Sequence, residues 1–269
     1  MIFNLSMPVL KPKVPTASLE AQSGVTYTNG ISGLSAEKIS LYSEAISNNA
    51  SITNDTSVVY IDHGKEHYKI TVGDQVTISL NGTNYAFDVI GFNHDTLTDT
   101  AAYGEETATG KAGITFQMHD LFATTYEMNS TDTNTGGWKS STMRTSTMAT
   151  MKGYLPSAWQ SIIKPVNKAS GTGGGSSSGT ETVSDSCFLL AEIEIFGSTT
   201  YSVSGEGTQY AYYKASNSKV KNKGGFADVW WERSTLVGDR RYFCFVDSDG
   251  NAYGYLANGS FGVAFGFCV

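Results

Sequence analysis

The sequence predicts an α+β protein of short antiparallel strands with few helices, on three observations. Charged residues make up only 16% of its 269 residues, against roughly 25% in an average domain. Ser, Thr, Asn and Gly supply the polarity, and with 15 Tyr and 13 Phe that bias favours strands and turns over long helices. The second observation is a hairpin spelled out between Val76 and Val89. The third is one well-signed helix after Ser35.

The totals also bound the partners. A net charge of −7 with no basic block argues against nucleic acid, whose binders need a Lys/Arg footprint, and against an anionic membrane surface. No run approaches the ~20 apolar residues of a membrane-spanning helix, so no membrane insertion is expected. The start, MIFNLSMPVLKPKVP, lacks the pattern of a secretory signal; a protein acting outside the cell would leave by another route, such as lysis. Cys187, Cys244 and Cys268 are an odd set without CxxC spacing, each among apolar neighbours. They read as buried small hydrophobes, not a disulfide framework or zinc site.

Residues 1 to about 30 read as an extended arm. Pro8, Pro12 and Pro15 recur with Lys11 and Lys13, and proline holds itself and its predecessor extended. Such an arm is either disordered or laid along a partner. Ser35 then caps a helix, with Leu34 and Ile39 as a staple. Ile39, Tyr42 and Ile46 form its stripe and Asn48-Asn49 ends it. So narrow a stripe should dock on another surface or on copies of itself. Residues 1–55 are therefore expected to anchor or oligomerise, and 56–269 to form the ligand-binding domain.

Strands begin near Tyr60. Val76, Ile78 and Leu80 alternate, Asn81-Gly82 turns the chain, and Tyr85, Phe87 and Val89 alternate on the return, a strong hairpin signal. Residues 93–137 are loops around an apolar segment, Ile114 to Phe122. One helix is expected from about Trp138 to Leu155. A shorter one follows, with Ser157 as its cap and Trp159, Ile162, Ile163 and Val166 as its stripe. Ser170 to Thr180 (SGTGGGSSSGT) reads as a flexible loop, Cys187 to Phe196 as a central strand, and Tyr201 to Lys223 as an irregular surface excursion. The apolar run Phe261 to Val269 suggests a final strand tied into the core.

Candidate chemistry is sparse. His63, His67, His94 and His119 show no HExxH pattern. Asp247-Ser248-Asp249-Gly250-Asn251 reads as a turn, because an EF-hand would need Gly at its sixth position and Glu where Asn258 stands. Glu192 and Glu194 would share a strand face, as an acid/base pair or as a solvated edge. There is no GxSxG and no Cys with an evident His. No catalysis, cofactor or metal is expected. The aromatic C-terminal segment is different: Trp230 reads as framework, Trp231 as facing out or into a pocket. Tyr242, Tyr253 and Tyr255 beside Arg240 and Arg241 have the make-up of a binding surface.

Val76 to Phe92, Trp138 to Pro165, Phe188 to Gly197 (FLLAEIEIFG), Trp230 to Ser234 (WWERS) and Gly262 to Phe265 (GVAF) together resemble the DUF6273 family, from roughly Tyr60 to Val269. Those domains are common in phages and prophages of gut bacteria. The family is in turn similar to the C-type lectin fold of formylglycine-generating enzymes and of the variable proteins of diversity-generating retroelements. The resemblance implies a C-type-lectin-like domain of short twisted antiparallel strands with two flanking helices, preceded by an arm and a helix. It implies a ligand-facing set of Trp231, Leu236, Asp239, Arg240, Arg241, Tyr242, Phe245, Asp247, Tyr253, Tyr255, Asn258 and Phe261. It further implies a non-enzymatic receptor-binding protein on the virion surface, trimeric through its arm, that meets other virion proteins there and a bacterial receptor, protein or glycan, at its C-terminal face. The enzyme branch fits poorly, since its catalytic cysteines form a close pair and Cys244 and Cys268 are 24 residues apart. Two alternatives stand beside this: a structural head, tail or baseplate component, and a metal-dependent enzyme built from His63, His94 and His119.

Overall fold

The computed structural model describes residues 14–269; Pro8, Pro12, Lys11 and Lys13 lie outside them. The protein is mixed α/β, mostly strands in several small sheets with few helices. From Pro15 on, the expected arm lies along the chain's own body. Strand β1 (Thr16–Ser18) and strand β2 (Thr28–Asn29) precede helix α1 (Ala36–Ser47). Ser35 caps α1 by accepting the Lys38 amide at 3.2 Å. A hairpin of β3 (Val58–His63) and β4 (Glu66–Thr71) takes β1 on one edge and β2 on the other. Tyr42 of α1 sets its ring 5.5 Å from Tyr68 of β4, so the helix stripe docks on this chain's own sheet.

The hairpin β5 (Gln75–Leu80) and β6 (Thr83–Phe92) forms as its sequence predicts. Asn81 and Gly82 both have positive φ, 47° and 87°, the left-handed pair that a two-residue turn between twisted strands requires. Strand β7 (Ile114–Met118) pairs with β6. The single helix expected over Trp138 to Leu155 is instead α2 (Gly137–Ser140), one π-type turn (Met143–Thr147) and α3 (Met148–Tyr154). Ser141 breaks it. Its backbone is extended, and its hydroxyl donates to the Trp138 carbonyl and accepts the Arg144 amide, so it starts a new helix. In α4 (Ser157–Ile162) the capping position belongs to Pro156, not Ser157.

The Gly/Ser run connects β8 (Val166–Gly171) to β9 (Thr180–Asp185), with its Gly174 amide donating to Asn134. Two further expectations are corrected by contacts distant in sequence. After β10 (Cys187–Phe188), the expected central strand becomes α5 (Glu192–Phe196), whose start is capped by the Glu194 carboxylate accepting the Ala191 amide at 3.0 Å. Glu192 and Glu194 thus share no strand face. The excursion from Tyr201 contains α6 (Ala211–Lys214), and its Tyr210 and Tyr213 are fully buried.

The chain closes with β11 (Lys221–Lys223), β12 (Phe226–Asp228), β13 (Trp230–Thr235), β14 (Tyr242–Val246), β15 (Ala252–Leu256) and β16 (Gly266–Cys268). Strand β16 lies between β10 and β7 in a five-stranded sheet, so the last apolar run is a core strand. All three cysteines are buried and unpaired. One hydrophobic core contains Ile39 and Ile46 of α1 together with Phe116, Phe267 and Val269, and so crosses the boundary expected at 55/56. The Ser43 hydroxyl on α1 donates to the Val269 carbonyl and accepts the Ile114 amide.

Candidate functional site: an aromatic face and its mount

Strands β13, β14 and β15 form an antiparallel sheet whose register aligns Trp231, Phe245 and Tyr253, and beside them Phe243 and Tyr255. Residues directly opposite in such a sheet share a face, so the rings fall in rows. Phe261 stacks on Trp231 at 4.5 Å and lies 4.9 Å from Phe245 and 5.0 Å from Tyr255. Tyr201 extends the row, 6.2 Å from Tyr253. The layers are distinct: Trp231 is fully buried, Phe245 and Phe261 are half-buried, and Tyr253 and Tyr255 are 47% and 45% exposed.

The rim is the β13–β14 connection. Arg241 pairs with Asp239 at 3.1 Å and lies 5.3 Å from the Tyr242 ring, while Arg240 is exposed. Buried Asn134 clamps this loop: its amide donates to the carbonyls of Asp239 (2.8 Å) and Tyr242 (2.7 Å), and its backbone N–H to that of Arg240 (2.7 Å). The Asn134 side-chain oxygen accepts the Gly174 amide at 2.8 Å, which ties in the Gly/Ser turn. Gly173 has φ 69°, and a Cβ there would stand 1.8 Å from the Asn134 carbonyl oxygen. A glycine is required.

Three of the residues expected to face ligand are placed apart from the open rings. Trp231 is framework like Trp230; its indole N–H donates to the Tyr126 carbonyl at 2.8 Å beneath Phe261. Leu236 packs over Gly254, where a Cβ would meet it at 2.8 Å, and Gly254 alternates with Tyr253 and Tyr255 onto the opposite face. Asp247 is occupied by its own turn, accepting the amides of Asp249 and Asn251 at 2.9 and 2.7 Å. Phe245, Tyr253, Tyr255 and Phe261 come together, Asp239, Arg240, Arg241 and Tyr242 edge the loop, and Asn258 is exposed in the turn after β15.

The network that holds β13 left only a faint signal in the sequence. Arg233 of β13, fully buried, donates to the Glu194 carboxylate, to Ser170 Oγ at 2.9 Å, and to the carbonyls of Leu189, Glu206 and Ala169. Lys168, also buried, donates to Asp95 at 2.7 Å, Glu194 at 2.8 Å and the Tyr210 hydroxyl at 3.1 Å. Burial alone would raise both carboxyls, but Lys168 holds Asp95 well below its usual range, and Arg233 with Lys168 holds Glu194 below its own. Charged residues inside an apolar strand, as in WWERS, were the available signal.

The histidines have separate partners. His94 stacks on Tyr210 at 3.8 Å, His119 meets Asp88 at 2.9 Å, and His63 lies beside Tyr42. Among the described residues no three His, Cys, Asp or Glu side chains form a metal-ligand group. A cavity of about 560 Å³ lies between α1 and β1, lined by residues such as Val14, Ala17, Leu41 and Ala45, and takes no residue from the aromatic face.

These features define a β-sheet platform, tied down by buried ion pairs and the Asn134 clamp, that presents an open aromatic face. A family model described as "Domain of unknown function (DUF6273)" matches residues 112–269, and the chain belongs to that family. The match opens at β7, so the β5–β6 hairpin precedes it. No curated protein and no solved structure matches the chain.

Proposed function

We propose that this is a non-enzymatic binding protein that contacts a bacterial surface receptor through its aromatic face and is displayed on a phage or prophage particle. The observation behind it is that Tyr253 and Tyr255 stand open on a sheet whose first strand, β13, is held by a buried ion pair at Arg233. Large exposed aromatics on a rigid support are the usual anchors of recognition, since they bring contact area at low entropic cost. The virion setting and a C-type-lectin-like reading of the fold rest on the family resemblance. The α1 stripe is covered by the chain's own core, so trimer formation and attachment to other virion proteins would draw on residues 1–13 and on exposed Val14, Leu19 and Leu41. Multivalent display would then raise avidity.

The test replaces Tyr253 and Tyr255 together by Ser and measures adsorption to cells of the producing strain, with particle assembly as a second readout. Adsorption should fall about 30-fold or more, the weight of at least one hot spot, with assembly unchanged. Failed assembly instead would replace this reading with that of a structural virion part.

A further inference from the structure

Glu232 is a fully buried carboxyl whose two oxygens have no hydrogen-bond partner among the described residues. It lies on β13 where the register with β14 slips, between Trp231 and Thr235. Glu192 of α5, Glu206 of the α5–α6 loop, Cys244 of β14 and Tyr213 of α6 are the titratable groups around it. Its strand neighbour Arg233 is committed to Glu194.

The two nearby carboxylates hold a surface segment in place. Glu192 accepts the amides of Thr200, Tyr201 and Ser202 at 2.8–3.1 Å. Glu206 accepts the Gly171 amide at 2.8 Å and the Ser234 hydroxyl at 2.5 Å. Between them, the Tyr201 carbonyl accepts the Val237 amide at 2.8 Å and its ring continues the aromatic row. The acids whose charges act on Glu232 therefore fasten the end of the aromatic face.

We propose that Glu232 is a proton-operated catch on residues 200–206: protonated, it leaves Glu192 and Glu206 free to hold the segment down; ionised, it repels them and frees Tyr201 from the edge of the face. Its role in ligand binding rests on the function proposed above. The direction follows from the surroundings. Burial first, then the charges of Glu192 and Glu206, push the Glu232 carboxyl well above its usual range, and burial pushes Glu206 up as well. The closed form holds the proton, so its advantage is complete below the ordinary carboxyl range and is lost as pH rises through the raised value. The segment closes in acid and opens in alkali, releasing the proton to solvent.

Amide hydrogen exchange on the full chain tests this without a ligand. Protection of residues 200–202, corrected for intrinsic rates, is followed from about pH 5 to about pH 9 with the β5–β6 hairpin as internal reference. In the wild type those amides should lose about tenfold or more protection relative to the hairpin, and Glu232→Gln should flatten the profile. Should the Gln variant not fold, Glu232→Met also removes the ionisation, and the wild-type profile stands by itself. Parallel loss in segment and hairpin, or an unchanged slope in a folded variant, overturns the catch. A flat profile with normal adsorption rejects the catch and leaves the binding function intact; a steep one with no adsorption does the reverse.

Discussion

Arg233→Met should destabilise the protein by about 3–5 kcal/mol, the cost of removing one partner from a buried ion pair. The guanidinium is fully buried, and its loss leaves Glu194 with Lys168 as its remaining cation and strips donors from the carbonyls of Ala169, Leu189 and Glu206. For a chain of this size that is a fall of about 10 °C in Tm, readable by calorimetry. The double variant Arg233→Met/Glu194→Met should recover part of the loss, because it leaves fewer buried charges uncompensated. A change below about 1 kcal/mol would mean that the pair does not hold β13. The same network sets acid sensitivity. Asp95 and Glu194 are held below their ordinary values, so their contribution is present above the unfolded carboxyl range and is lost as pH falls through the depressed values.

Gly113→Ala should cost about 3 kcal/mol, the upper end of overpacking penalties. A Cβ at Gly113 would lie 1.9 Å from the Ser43 carbonyl oxygen of α1 and 2.7 Å from its hydroxyl. The obstacle is helix backbone, which cannot swing aside as a side chain does. The helix would have to leave β7, taking with it the Ser43 bonds to Ile114 and Val269. Gly153→Ala is the matched control: it sits in α3 with nothing near its absent Cβ, so helix propensity alone should make it neutral to about 1 kcal/mol stabilising. Urea midpoints of the two variants decide the matter. Equal midpoints would show that α1 is not seated on the β7 backbone.

Much of the local structure is legible in the sequence. The Asn81-Gly82 turn, the Ser35 cap, the Asp247 turn and the buried cysteines are each set by a few consecutive residues, and each formed. Alternation around Gly254 puts Tyr253 and Tyr255 on one face of β15, without deciding whether that face is open. Where local signals were weak or in conflict, the chain went another way. Cys187 to Phe196 looked like a strand because its apolar residues run on, but the Glu194 carboxylate caps a helix and is claimed by Arg233 and Lys168, 39 and 26 residues away. The Gly/Ser run looked featureless because nothing in it reveals Asn134, whose amide also reaches the rim loop 105 residues on.

By itself, then, the sequence determined the class of the protein: short strands, few helices, a hairpin, a capped helix and an aromatic C-terminal segment. Those properties depend on backbone preferences and alternation, which act over a handful of residues. Tertiary structure alone decided which aromatic rings stay open, that α1 joins the same core, and that Asp95, Lys168, Glu194 and Arg233 meet in the interior. A buried charge is tolerable only beside its partner, and here the partners come from separate strands, helices and loops, so only the folded chain could bring them together.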